Sequence, residues 1–305
     1  MGRYIGKRVL LSILTLWIVT TLTFTLMFLI PGGPFLAEKA KSQSTIDALN
    51  AKYGLDQPRH VQYFNYLGNL LQGDLGLSIK QRGRTVNEII SDGFAVSSRV
   101  GGLTVLLALF LGIPLGSIAA LNRGKWIDSV IIVISTCGIA VPTFVISVLL
   151  MMAFSVGLGW LPTYGLTSPL HYIMPVIALS FHPTAYIARL MRSSMLEVLG
   201  QDYMRTARAK GLSRFVSLFK HALRNAILPV VTYLGPMLAY TLTGSFVVEK
   251  IFTIPGLGNY FISSIINRDY PLIMGTTVFL AALIIFMNLV VDIVYKLVDP
   301  RIKLR

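Results

Sequence analysis

The sequence predicts an all-α polytopic membrane protein with six transmembrane helices, and three observations carry that expectation. Hydrophobic residues make up 54% of the 305 residues, charged ones only 13%, and mean hydropathy is +0.69. That balance belongs to membrane-embedded chains rather than to soluble domains. No Asp, Glu, Lys or Arg occurs from Ser129 to Ala188, a run too long for a single crossing. The net charge of +14 is concentrated in short segments between apolar stretches, as the positive-inside rule distributes Lys and Arg. A nucleic-acid partner is excluded, because no recognised binding module accompanies the charge.

A crossing needs about 20 apolar residues. Val9 to Ile30 supplies the first, after Arg3, Lys7 and Arg8. It is longer than a signal-peptide core and ends at Pro31-Gly-Gly-Pro, so it reads as a retained helix. Residues 31–96 form an extracytoplasmic segment with helical apolar spacing at Ile46, Leu49 and Tyr53. A second amphipathic run follows at Val61, Phe64, Tyr66, Leu67, Leu70 and Leu71, ending at Gly73-Asp-Leu-Gly. These outer helices either receive a partner that delivers substrate or cap the bundle.

Gly101 to Leu121 is the second span. Gly157-Leu-Gly-Trp-Leu-Pro-Thr-Tyr-Gly and Pro169 split the long uncharged run into Val130–Val156 and Ile173–Leu190, and Asn225–Val248 and Pro271–Val291 complete six. Basic residues near span ends put both termini inside. The resulting division is 1–30 (N-terminus and first helix), 31–96 (outer segment), 97–298 (core with an inner loop at 191–226) and 299–305 (tail).

Catalytic motifs are missing. The chain has no G-x-x-x-x-G-K-[ST] phosphate loop, no H-E-x-x-H and no G-x-S-x-G. Gly256-Leu-Gly258 reads as a turn, and His60, His171, His182 and His221 are scattered. The single cysteine, Cys137, lies in an apolar run. Asp292, at the inner end of the last span, is the one candidate for proton coupling.

The inner loop holds more pattern than a connector needs. From Arg189 to Arg224 it carries eight basic residues against two acids, with Gly200 and Gly211 punctuating two short helices. Tyr203, Ala207 and Lys210 share one side of the first. Ala207 and Gly211, four apart, predict a flat strip that admits another backbone. Ser213 is placed to cap the second helix, on which Phe215, Leu218, Phe219 and Ala222 recur at i, i+3, i+4, i+7. Such a stripe, with Arg214, Lys220 and Arg224 nearby, suits either a membrane surface or a protein groove, and the Ala/Gly strip favours the groove. Pro142 is the expected kink beside a pathway, with Tyr240 and Thr243 offering mild polar contacts.

Arg205-Thr-Ala207 followed by Gly211 resembles the Glu-Ala-Ala…Gly loop of binding-protein-dependent ABC importer permeases. Asp202-Tyr-Met-Arg-Thr-Ala-Arg-Ala-Lys-Gly-Leu-Ser and His221-Ala-Leu-Arg-Asn-Ala-Ile-Leu-Pro229 resemble the oligopeptide/dipeptide/nickel branch. Arg205 stands where the loop glutamate falls in the wider family, and Leu223-Arg224 replaces its terminal Leu-Pro. Pro31-Gly-Gly-Pro-Phe35, Tyr53-Gly-Leu-Asp-Gln-Pro58, Gly73-Asp-Leu-Gly76, Glu249 to Gly258, Asn267-Arg-Asp-Tyr270 and Asp299-Pro-Arg301 look like the B-type permeases of that branch, in order along the chain.

The resemblance implies half of a type I ABC importer: a permease moving oligopeptides or dipeptides across a bacterial or archaeal cytoplasmic membrane. It further implies a second homologous permease, two cytoplasmic ATPase subunits that hold ATP and Mg, and an extracytoplasmic peptide-binding protein. This chain itself would bind no cofactor and no metal. Asp202, Tyr203, Arg205, Thr206, Ala207, Lys210, Gly211, Leu212, Phe215, Phe219, His221 and Arg224 would form the ATPase-coupling loop. Rival readings are a nickel permease of the same branch, a proton-coupled secondary peptide transporter working through Asp292, and an intramembrane enzyme.

Overall fold

The computed structural model describes residues 2–29, 33–35, 43–242 and 244–298. Thr243, Pro31-Gly32, the Asp299-Pro-Arg301 motif and the side chain of Asp292 lie outside that description. All regular structure among the described residues is helical, apart from one isolated bridge between Leu77 and Thr85.

In chain order the helices are α1 (Gly2–Leu29), α2 (Gln43–Lys52), α3 (Arg59–Leu71), α4 (Val86–Leu121), α5 (Trp126–Ala140), α6 (Thr143–Leu150) and α7 (Leu170–Leu199). They continue as α8 (Asp202–Ala209), α9 (Arg214–Val216), α10 (Arg224–Ala226), α11 (Leu228–Leu242), α12 (Phe246–Ile251), α13 (Leu257–Asn267) and α14 (Tyr270–Val298). Two π-helical stretches, Met151–Gly157 and Ser217–Leu223, extend α6 and join α9 to α10. Among the described residues, five helices are long and apolar enough to cross a membrane, six if α5 and the α6 stretch count as one broken span.

That break corrects the expected single helix Val130–Val156. The chain turns by 103° between Ala140 and Thr143. Pro142 adopts φ −60°, ψ 139° and caps α6. A proline has no N–H to offer the preceding turn and pushes its neighbour out of helical geometry, so the ladder stops instead of kinking. Pro114, Pro175 and Pro183, by contrast, sit inside continuous helices.

The chain forms two compact units. The first comprises Met1–Ala95 with Gly256–Ile285, the second Val96–Pro255 with Phe286–Arg305. In the first, Met27, Phe35, Ile79, Tyr270 and Met274 form a buried cluster, with Ile46, Leu49 and Tyr53 of the outer segment packed against it. The helical spacing of those three therefore marks an inward face. Phe64 and Leu71, expected on the apolar stripe of the next helix, instead stand 67% and 90% exposed. The Tyr66 hydroxyl is buried without a partner among the described residues, and burial pushes the phenol above its usual range.

Asp269, 1% exposed, ties this unit together. Its carboxylate accepts from the Ser78 hydroxyl and from the backbone N–H groups of Ile79 (3.1 Å) and Lys80 (3.2 Å). Lys80 Nζ in turn donates to the Pro34 carbonyl at 2.9 Å. A buried carboxylate persists only with such a set of donors. The Asn267-Arg-Asp-Tyr270 motif thus has a structural purpose: it anchors a distant loop.

The second unit is organised on α7, against which α5, α6, α10, α11 and α12 pack. Close approach is made possible by glycines. A Cβ on Gly112 would fall 2.8 Å from the Ile187 side chain, and one on Gly116 would overlap the Ala188 carbonyl oxygen. Gly138 meets the Ala185 methyl in the same way, at 2.7 Å. Small residues at such crossings let backbones approach and gain dispersion contact where no hydrophobic drive exists in lipid.

Candidate functional site

The inner loop is not a loop in the ordinary sense. Helix α7 runs to Leu199, nine residues beyond the expected end at Leu190, because nothing in Met191–Leu199 breaks a helix. Arg192 is therefore a helical residue, and like Arg189 one turn earlier it bonds to α5. Arg192 Nε and Nη2 donate to both oxygens of Asp128, at 2.6 and 2.8 Å, and the Gly124 N–H adds a third bond at 3.0 Å. Asp128 is 3% exposed. Arg189 donates to Thr136 Oγ1 at 3.0 Å. The bidentate pair fixes the start of α5 to α7 two turns before the helix ends.

Removing one partner of a mostly buried pair strands the other, so Asp128→Ala is expected to destabilise the folded chain by roughly 2–4 kcal/mol. Arg192 keeps a 25% exposed side chain, which places the expectation below the cost for a fully buried pair. A thermal unfolding series in detergent with Asp128→Ala, Arg192→Ala and the double variant checks it. Near-additive losses would show that the two side chains are not coupled.

Beyond Leu199, Gly200 and Gln201 turn the chain into α8. Gly211 adopts φ +73°, which a side chain would strain, and Lys210 and Leu212 donate their N–H groups back to the carbonyls of Thr206 and Ala207. The Ser213 hydroxyl accepts from the Val216 N–H at 3.3 Å, the cap expected from the sequence. One face of this segment is locked into the core. Met204, Ala222 and Ala226 are fully buried in a cluster with Ile187, Met191, Met195 and Val230, and Leu218 packs against it. Tyr203 Oη accepts from Asn225 Nδ2 at 3.3 Å, linking α8 to α10.

The other face is apolar and unburied. Tyr203, Leu212, Phe215 and Phe219 are 41%, 39%, 68% and 56% exposed, and the two phenylalanine rings lie 4.4 Å apart. Arg205, Lys210 and Arg224 are exposed around them. Among the described residues Arg205 pairs only with Asp202 of its own helix, at 3.4 Å. Thr206 spends its hydroxyl on the Asp202 carbonyl, at 3.1 Å, and the half-buried His221 gives its own carbonyl to Asn225, at 2.9 Å.

Two expectations are corrected here. The stripe Phe215, Leu218, Phe219, Ala222 does not share one face. From Ser217 to Leu223 the helix is π-type, and its wider i→i+5 turn sends Leu218 and Ala222 inward while Phe215 and Phe219 face out. The Ala207–Gly211 strip is also not presented whole. Ala207 is 7% exposed, packed into its own chain, whereas Gly211 is open.

Of the expected pathway residues, Pro142 sits at the break before α6 and Tyr240 is 68% exposed on α11. The elements that carry them, α6 and α11, each pack against α7. The Gly112/Gly116 contact is absent from the sequence expectations. Its signal exists as Gly112-Ile-Pro-Leu-Gly116, a small-xxx-small spacing inside an apolar run.

The family described as "Binding-protein-dependent transport system inner membrane component" matches residues 112–304, and a companion N-terminal component family matches residues 1–100. This chain belongs to that family. As an inner membrane component it has full-length relatives. It is 48% identical over 304 residues to the dipeptide transport system permease protein DppB of Bacillus subtilis, covering 100% of this chain and 99% of the relative. It is 42% identical over 305 residues to the oligopeptide transport system permease protein OppB of Haemophilus influenzae, covering 99% of this chain and 100% of the relative.

The fold of this inner membrane component is shared with solved transporters. An inward-facing structure of the MetNI methionine ABC transporter superposes with a TM-score of 0.57 at 17% identity, over 69% of this chain and 96% of that one. An amino acid ABC transporter solved with histidines gives a TM-score of 0.53 at 18% identity, over 71% and 95% of the two chains. The 112–304 match takes in all of α7 to α12, and so the whole segment from Asp202 to Arg224.

Proposed function

We propose that this chain is the non-catalytic translocating subunit of an ATP-driven peptide importer, with both termini inside the cytoplasm and α8 to α10 seated in a groove of a cytoplasmic ATPase. One observation carries this reading. A segment whose inner face is fixed in the core by Met204 and Ala222 turns two adjoining phenylalanines and a basic rim outward. Exposed aromatic rings in a charged rim are the composition of an interface core awaiting its partner. The peptide cargo follows from the dipeptide and oligopeptide permeases to which the whole chain is similar.

The mechanism follows from rigidity. Closure of the ATPase pair on ATP presses on α8–α10, which transmits the displacement because its inner face, α7 and the Arg192–Asp128 pair form one packed body. The spans then shift between two packed arrangements rather than bend. ATP and Mg stay on the partner subunits, and a second permease of the same fold completes the pathway. Pro142 and Tyr240 are placed beside that pathway on this reading, and a broken span whose freed backbone groups need partners suits a water-lined route.

Reconstitution tests it. The chain alone in vesicles is expected to accumulate no labelled di- or oligopeptide, with or without a pH gradient. Adding the second permease, ATPases, binding protein and ATP is expected to give uphill uptake. Accumulation by the lone chain would remove the coupling reading altogether.

A further inference from the structure

Arg99 lies on α4 two residues before the apolar stretch that begins at Gly101, and it is exposed. Among the described residues it makes no hydrogen bond or ion pair. It opens on a groove of about 670 Å³ in the second unit, lined also by Leu103, Leu106, Leu166, Ser168 and Tyr172. No acid lines this groove, so nothing in it balances the guanidinium. An arginine at the edge of a span extends its guanidinium to the interface, the level at which lipid phosphates lie.

What lies below it states the partner's shape. Leu103, Leu106 and Phe110 follow Arg99 at i+4, i+7 and i+11 and are 43%, 64% and 75% exposed. They continue its face of the helix. Eleven residues of helix advance about 16 Å, close to half of a hydrocarbon core of about 30 Å. A cation followed by one leaflet's depth of apolar surface is complementary to an amphiphile with an anionic head. The level is marked independently. Trp160 and Tyr164, in the connection that ends at the groove, are 66% and 64% exposed, as aromatic side chains at a membrane–water boundary are.

We infer that this groove is a binding site for an anionic glycerophospholipid, its phosphate on Arg99 and an acyl chain along Leu103, Leu106 and Phe110. The site stands apart from the coupling segment and does not depend on which cargo is carried. In the orientation proposed above it faces the outer leaflet. A bound lipid would brace α4 against the connection before α7.

Native mass spectrometry of the delipidated full chain, with whatever subunits co-purify, tests this by titration with phosphatidylglycerol. Arg99→Gln is expected to lower the lipid-bound fraction about five- to tenfold, given what one cation contributes at a membrane surface. Leu106→Trp keeps the charge but fills the trough, and is expected to lower it similarly. Glycerol phosphate and inorganic phosphate should fail to compete at equal concentration. Equal lipid retention by the native chain and both variants would overturn the site. So would competition by the headgroup fragments alone. A photo-crosslinker at Leu103 that captures another protein subunit instead of lipid would replace it with a subunit interface.

Discussion

Replacing Phe215 and Phe219 together by alanine is expected to weaken the hold of an ATPase subunit on this chain by roughly 30- to 1,000-fold in Kd, while the chain still inserts and folds. Full burial of one phenylalanine contributes about 1.5–3 kcal/mol. These two rings are 68% and 56% exposed, so what remains to be buried is about 1–2 kcal/mol each. Each 1.4 kcal/mol is about a factor of ten. Folding should be spared because the same segment holds the core through Met204, Ala222 and Ala226, which the substitutions leave in place. Phe64→Ala is the matched control: it removes a ring 67% exposed in the other unit and should leave ATPase affinity unchanged. Detergent pull-down against increasing ATPase concentration, with transport-linked ATP hydrolysis as a second readout, measures the effect. Unchanged affinity in the double variant would mean that the rings meet lipid or nothing, and not the motor.

Gly116→Leu is expected to abolish the folded chain, the largest effect of any single change considered. A Cβ at this position overlaps the Ala188 carbonyl oxygen and falls 2.7 Å from the Met191 Cβ and 3.0 Å from the Arg192 nitrogen. The first and last of these are backbone atoms of α7, so α4 and α7 would have to separate. Even Gly116→Ala should cost about 1–3 kcal/mol by overpacking. Gly102 on the same helix has nothing within 4 Å, and Gly102→Ala should be neutral or slightly stabilising. Size-exclusion chromatography of fluorescently tagged, detergent-solubilised protein separates the outcomes. A monodisperse peak of normal height for Gly116→Leu would show that the helix crossing is looser than described.

Membrane architecture is readable from composition and run length because a bilayer imposes one strong constraint on every span. Breaks are harder. Pro142 does mark a disturbance, yet a proline gives its place and not its angle. Pro175 and Pro183 show that the same residue can sit in an unbroken helix when neighbouring packing supports it. Glycine punctuation and charge single out the segment from Gly200 to Arg224 but not which way its faces point. Periodicity at i, i+3, i+4, i+7 assumes an α turn, and the π turn of Ser217–Leu223 redistributes those positions. Ala207 resembles part of an open strip because a small residue reads alike whether it admits a partner or fills a tight interior. A bulky substitution at Ala207 would therefore confuse packing with docking, which is why the phenylalanines make the sharper test. The Arg192–Asp128 pair joins residues 64 positions apart, and no local pattern announces it.

The outward-turned rings carry a further consequence for an orphan copy. If the proposed docking holds, a chain made without an ATPase partner leaves on display to water an apolar handle of the kind that chaperones and proteases recognise. Surplus copies would be cleared while assembled ones, with that handle covered, persist. Matched cellular amounts of transporter parts could then arise from turnover alone, with no need for equal synthesis.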